Sequence, residues 1–141
     1  IVSIMEKVIN DENIDDNEGI MHHEEGVDFI PANIELAGLE TALVGVMSRE
    51  FVLKSYLDHM KDKYDYILID CMPSLGMVTI NALVAADYVL IPVEAAYLPT
   101  KGLQQLIKTI GKVRRRLNPS LEILGILLTK VAIIPLVVLL K

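Results

Sequence analysis

The sequence predicts an α/β fold, with a parallel sheet flanked by helices. Three observations carry this. Aliphatic runs of strand length at Tyr64–Asp70, Tyr88–Val93 and Ile123–Thr129 alternate with helical patterns. The order strand–helix–strand–helix–strand with short loops is that of βαβ units, whose crossovers are right-handed. Hydrophobic residues make up 52% of the chain and aromatic residues only 5%, so aliphatic side chains fill the core, as in strands covered on both faces. A chain of 141 residues is most simply one domain.

The elements follow in order. Ile1, Ile4, Met5, Val8 and Ile9 fall on one stripe of a helix. Asn10–Glu25 is acidic and polar, punctuated by Gly19 and ended by Gly26, and reads as a loop. Val27–Ile30 is a short strand closed by Pro31. Asn33 is placed to cap a helix running to about Val46, with Leu36, Leu39, Leu43 and Val44 facing inward. Ser48 is placed to cap the next, whose inner face is Phe51, Val52, Tyr56, Leu57 and Met60. Met77–Ala86 is a helix entered through a Pro/Ser/Gly turn. Thr100–Leu117 is a helix with Leu103, Leu106, Ile107, Ile110 and Val113 on its apolar face, stopped by Asn118–Pro119.

Charge and cysteine content narrow the function classes. A net charge of −6 argues against a chain that is basic overall and coats nucleic acid, but allows a local basic patch. The single cysteine, Cys71, cannot form an internal disulfide, so a cytoplasmic setting is expected. No basic region precedes an apolar segment at the start, as a secretory signal would need. Residues 123–140 are apolar enough to raise a membrane span, but Lys130 and Pro135 interrupt the run. Its first half reads as a buried strand, and no membrane partner is expected.

Asp70 is the first candidate for chemistry. It ends an apolar run, and open α/β sheets bind ligands at the carboxyl ends of their strands. A carboxylate there can hold Mg²⁺ through water beside bound phosphates. It can also serve only as a turn or helix-capping acid. The bend Pro73–Ser74–Leu75–Gly76 beside it suits a loop that senses a terminal phosphate. No G-x-x-x-x-G-K-[ST] loop occurs in the chain to face it.

The run Tyr64–Thr129 resembles the middle of a ParA-type chromosome or plasmid partition ATPase, of the ParA/MinD group of deviant P-loop ATPases. That family carries D-x-P-P-S-L-G, then an N-A-L…A-A-D helix end, then L-I-P-V and a G-L helix. This chain has Asp70, Pro73–Gly76, Asn81–Leu83, Ala85–Asp87, Leu90–Val93 and Gly102–Leu103 in register. Residues 27–64 match more loosely. The resemblance implies a P-loop NTPase-like, Rossmann-like fold, incomplete because the N-terminal P-loop with its paired lysines and switch I aspartate is absent. It implies that Asp70 contacts the Mg²⁺ shell as the switch II aspartate, with Pro73, Ser74 and Gly76 shaping switch II. It further implies ATP and Mg²⁺ as cofactors of the intact protein, an ATP-dependent homodimer, non-specific DNA binding and a ParB-like partner at the partition site. Met72 and Glu94 depart from the usual proline and glutamine, and residues 131–141 form a divergent tail. The chain is expected to be one partial domain, N-terminally truncated, inactive alone, and to bind ATP weakly or not at all.

Other residues are weighed against plainer roles. Lys130 lies near where family members contact the base, or is a strand-end lysine reaching solvent. Lys108, Lys112, Arg114, Arg115 and Arg116 are the dense basic cluster, suited to DNA phosphates or to the dipole of a helix C-terminus. His22 and His23 before Glu24 and Glu25 read as solvated loop rather than metal ligands, because neighbours in sequence rarely converge on one ion. His59 reads as a surface or half-buried helix residue. Cys71 reads as packing rather than nucleophile, since the adjacent acid disfavours its thiolate. Two alternatives stay open: a MinD-like positioning ATPase, which would end in a basic amphipathic helix, and a non-catalytic binding module.

Overall fold

The computed structural model describes residues 1–72, 74–94 and 101–130. The elements are α1 (Val2–Ile9), β1 (Met21–His22), β2 (Asp28–Phe29), α2 (Leu36–Ala42), α3 (Val52–Leu57), α4 (Met77–Ala85), β3 (Tyr88–Glu94), α5 (Lys101–Arg116) and β4 (Glu122–Thr129). β3 and β4 pair in parallel, from Tyr88 opposite Glu122 to Glu94 opposite Thr129, with one irregularity between Val89 and Leu90. The chain between them contains α5, so β3–α5–β4 is the expected βαβ unit. β1 and β2 form a small antiparallel hairpin, so the polar stretch from Asn10 ends in a strand rather than remaining loop throughout.

Helix α4 sits between two cores. Ala82 packs with Met5, Leu39, Leu43, Val52 and Leu53. Leu83 and Val84 pack with Ile91, Ile110, Val113 and Leu121. Ile4, Tyr56 and Met60 make a third cluster beneath the hairpin. A helix used on both sides needs apolar residues nearly all round, and α4 buries Thr79, Asn81, Ala82, Leu83 and Val84 in succession.

Two asparagines satisfy polar groups at this junction. Asn81 is fully buried; its Oδ1 accepts from the Leu53 N–H at 3.1 Å, and its Nδ2 donates to the carbonyls of Arg49 at 2.8 Å and Met77 at 3.0 Å. It thereby joins α4 to the start of α3. The Asn118 Nδ2 donates to the carbonyls of Leu83, Val84 and Ala86, at 3.1, 3.1 and 2.7 Å. Those carbonyls end α4 and have no partners within the helix, so Asn118 closes that end.

Several expectations are corrected. Tyr64–Asp70 forms no strand: it has no ladder partner among the described residues. Its side chains still alternate, with Tyr66 87%, Ile67 39%, Leu68 93% and Ile69 36% exposed. Period-two exposure is that of a strand resting on one layer. The described residues cover only the Ile67 and Ile69 side, so the continuous apolar run is not buried. Val44 and Ile107 are exposed rather than core, because both lie at the margin of their helical stripes. Phe51 also stands at the edge of burial. Asn33 does not cap α2: Glu35 occupies that position, and the Asn33 Oδ1 accepts the Glu35 N–H at 3.1 Å as a local turn. Ser48 precedes a single 3₁₀ turn, Arg49–Phe51, with φ of 54° and no side-chain capping bond. Asn10–Glu25 is anchored by an ion pair, Lys7 to Glu18 at 2.7 Å.

The hairpin is held by a carboxylate. The His22 Nδ1 lies 2.5 Å from the Asp28 Oδ1, and the Tyr64 hydroxyl donates to the Asp28 Oδ2 at 2.8 Å. These bonds, His22 first, hold the Asp28 carboxyl below its ordinary range. A depressed folded-state pKa gives stability that is present above the ordinary carboxylate range and lost as pH falls through the folded value. Asp28→Asn should therefore show a smaller fall in Tm between pH 6 and pH 3 than the parent chain; an unchanged acid limb would remove Asp28 from it. Asn81→Leu strands the Leu53 amide and the Arg49 carbonyl. It should cost about 2–4 kcal/mol by urea unfolding, against under about 0.5 kcal/mol for an exposed site.

Candidate functional site

The candidate site is the loop that carries Asp70 into α4. Asp70 is exposed, and its carboxylate makes no hydrogen bond or ion pair with a described residue. It is thus an acid whose acceptors are open, the state a water-mediated contact to a cation requires. It is not fixed by a β-ladder, as its expected place at a strand end implied. Partial desolvation, and then the Asp70 charge, push the Cys71 thiol above its ordinary value. Cys71 is exposed, not packed, with its Sγ 3.8 Å from the Ile69 carbonyl, and a raised thiol pKa disfavours the nucleophilic thiolate. Pro73 lies outside the described residues. The Ser74 N–H donates to the Met72 carbonyl at 2.7 Å, closing a tight bend, and the Ser74 Oγ is 3.5 Å from the Thr79 Oγ1.

Gly76 ends the loop and stands at the N-cap of α4 with φ −74° and ψ −176°, an ordinary extended conformation. Space, not torsion, explains its glycine. A β-carbon there would lie 2.8 Å from the Glu40 Cδ, and closer still to its Oε1. The Glu40 carboxylate crosses from α2 and accepts the Met77 N–H at 2.7 Å and the Val78 N–H at 3.0 Å. Helix N-termini present such unpaired N–H groups and favour negative charge. Sequence reasoning missed Glu40, since 36 residues separate it from Gly76 and only the close approach reveals the pairing.

The remaining candidates lie elsewhere. Lys130 follows β4 with φ of 52°, and its Nζ pairs with Glu94 at the end of β3. It therefore ties the ends of the two strands while its side chain remains largely exposed. Lys108, Lys112, Arg114, Arg115 and Arg116 are all exposed and make no ion pair with described residues. On α5, residues 108, 112, 115 and 116 share one face at helical spacing, while Arg114 points away from it. Lys112 and Arg116 rim a shallow groove of about 390 Å³ with Glu50, Ile80 and Thr109. A larger cleft of about 690 Å³ opens between α1 and α2, but its ionisable side chains, Glu6 and Glu35, are acidic and do not suit a phosphate.

His22 is engaged by Asp28, and the His59 Nδ1 is 2.8 Å from the Ser55 carbonyl. Among the described residues no three His, Cys, Asp or Glu side chains gather as metal ligands. Nor is any described helix long and apolar enough to cross a membrane. The tail at 131–141 lies outside the described residues.

Comparison with known proteins bears on this loop and its fold. Residues 1–123 match the family model described as AAA domain. The sporulation initiation inhibitor protein Soj of Bacillus subtilis is 53% identical over 105 residues, covering 74% of this chain and 42% of that protein. The chromosome partitioning protein ParA of Myxococcus xanthus is 45% identical over 129 residues, covering 90% of this chain and 44% of its own length. The chain thus spans less than half the length of these relatives. Among solved structures, a cobyrinic acid a,c-diamide synthase from Mycobacterium smegmatis with bound ADP and magnesium superposes with a TM-score of 0.78 at 36% identity, over 87% of this chain and 49% of that one. A plasmid partition protein from Borrelia burgdorferi gives 0.71 at 31% identity, over 89% and 51%. The expected fold class, a P-loop ATPase-type parallel α/β sheet, stands on these neighbours. By its residues 1–123 the chain belongs to the AAA domain family, and within it to the ParA/MinD-type ATPases.

Proposed function

We propose that this chain contributes the switch II segment and the basic helix of an ATPase that partitions chromosomes or plasmids. The observation that supports this most is the 45% identity, over 90% of this chain, to the chromosome partitioning protein ParA of Myxococcus xanthus, together with an Asp70 whose carboxylate has no partner among the described residues. In this reading Mg²⁺ neutralises developing phosphate charge when ATP is bound. Asp70 orients a water of the metal's shell. Pro73, Ser74 and Gly76 set the path of the loop, so that its position reports on the nucleotide. The nucleotide-bound form is a homodimer that binds DNA without sequence preference, and a ParB-like protein at the partition site stimulates hydrolysis. The setting is cytoplasmic, at the nucleoid.

The basic face of α5 is the candidate DNA contact. Lys108, Lys112, Arg115 and Arg116 reach solvent without acidic partners among the described residues. Counterions released from phosphates would then supply the affinity, which falls as salt rises. A positioning role of the MinD type is less favoured, because two of the matched proteins are named for chromosome or plasmid partition and none for positioning.

Two substitutions test this, in a chimera with residues 1–130 grafted over the matching segment of the Bacillus subtilis relative. Asp70→Asn should lower Mg-dependent ATP hydrolysis by about 100-fold or more, the scale of losing a charge-stabilising contact. Hydrolysis at the parental rate would refute the metal-side role. Arg115→Glu should weaken binding to random-sequence duplex DNA and reduce the slope of log affinity against log salt by about 1. An unchanged affinity and slope would remove α5 from the DNA contact.

A further inference from the structure

Glu40 has no part in the reading above, yet it is the group that meets the end of the switch loop. The Met77 and Val78 amides belong to the first turn of α4 and have no acceptor within the helix. Both are taken by one carboxylate from α2, at 2.7 and 3.0 Å. Independently, the backbone at Gly76 passes so close to that carboxylate that an added β-carbon would push the Glu40 side chain aside. The glycine and the acid are therefore two halves of one contact. The first intrahelical bond, from the Ile80 N–H to the Gly76 carbonyl at 3.1 Å, begins at the same residue.

We propose that Glu40 is a positioning residue: its carboxylate clamps Gly76–Val78 and so fixes where the Asp70–Gly76 loop joins α4. The loop has few anchors of its own. Among the described residues Asp70 has no hydrogen-bond or ion-pair partner, and Ser74 makes only a backbone bond to Met72 and a long hydroxyl contact to Thr79. Its exit, by contrast, is held by two charge-assisted hydrogen bonds, the stronger class. Because Leu39 of α2, and Leu43 just after it, pack into the first core, the clamp refers the loop to α1 and α3 rather than to the sheet. A nucleotide-driven movement of the loop would have to pivot at this point or break it. This positioning role rests on the switch-loop reading, but the clamp does not.

Backbone hydrogen exchange of the chain itself, without nucleotide, tests the clamp separately from that reading. Glu40→Ala should speed exchange at Met77 and Val78 by about 10- to 100-fold, the loss of a charge-assisted bond. Amides of α5 and β4 should keep their parental rates. Gly76→Ala should give the same local effect by displacing the carboxylate. The double variant should be no faster than either single one, because without Glu40 the added methyl has nothing to displace. Glu40→Gln, which keeps one acceptor, should fall between. Unchanged exchange at Met77 and Val78 in Glu40→Ala overturns the proposal, and so do additive effects in the double variant. Acceleration spread evenly over the chain, or a misfolded Glu40→Ala with Glu40→Gln at parental protection, also overturns it. If Asp70→Asn leaves hydrolysis intact while this pattern holds, the clamp stands and the switch-loop reading falls.

Discussion

Burial of α4 from both sides is the constraint on which the rest depends. A nine-residue helix this enclosed cannot hand its terminal N–H and C=O groups to water, so other parts of the chain must meet them. Glu40 reaches the amino end, Asn118 the carboxyl end, and Asn81 turns outward from the middle to the start of α3. Each of these partners comes from an element more than 25 residues away in sequence or bonds to one. The polar contacts therefore set the register of α2, α3 and α5 against α4. The apolar clusters alone would fix it less sharply, since hydrophobic contact is not directional.

Local patterns were legible in the sequence wherever one element decides its own fate. The apolar stripe of α5, the positions of β3 and β4 and the stop at Asn118–Pro119 needed only periodicity and turn chemistry, although β4, expected to be buried, is exposed along most of its length among the described residues. The fold class followed from their alternation, and the family from residues in register between Tyr64 and Thr129. What was not legible depended on partners. Tyr66–Ile69 has every mark of a buried strand, yet a strand exists only through its neighbours, and the described residues supply none. Asn33 and Ser48 have the right chemistry for caps, but tertiary packing starts the helices elsewhere.

The site shows the same division. Asp70 stood out because an acid closing an apolar run is a recurrent device, yet that run finds no ladder partner among the described residues. Lys130 pairs with Glu94 across the ends of the two strands, a contact that no local pattern announces. Gly76 was read as part of the bend after Asp70; its backbone is unexceptional, and what distinguishes it is the close approach of the Glu40 carboxylate. No rule of spacing could have paired it with Glu40.

The bare cations of α5 also bear on how the molecule presents itself to a charged surface. The acids Asp11, Glu12, Asp15, Asp16, Glu24 and Glu25 gather in the stretch that leads into the hairpin, beside α1 and the third cluster. Helix α5 belongs to the second cluster. A net −6 therefore averages over a helix that is locally basic. A local patch of one sign sets the field that a charged partner first meets, and that field reaches furthest at low ionic strength.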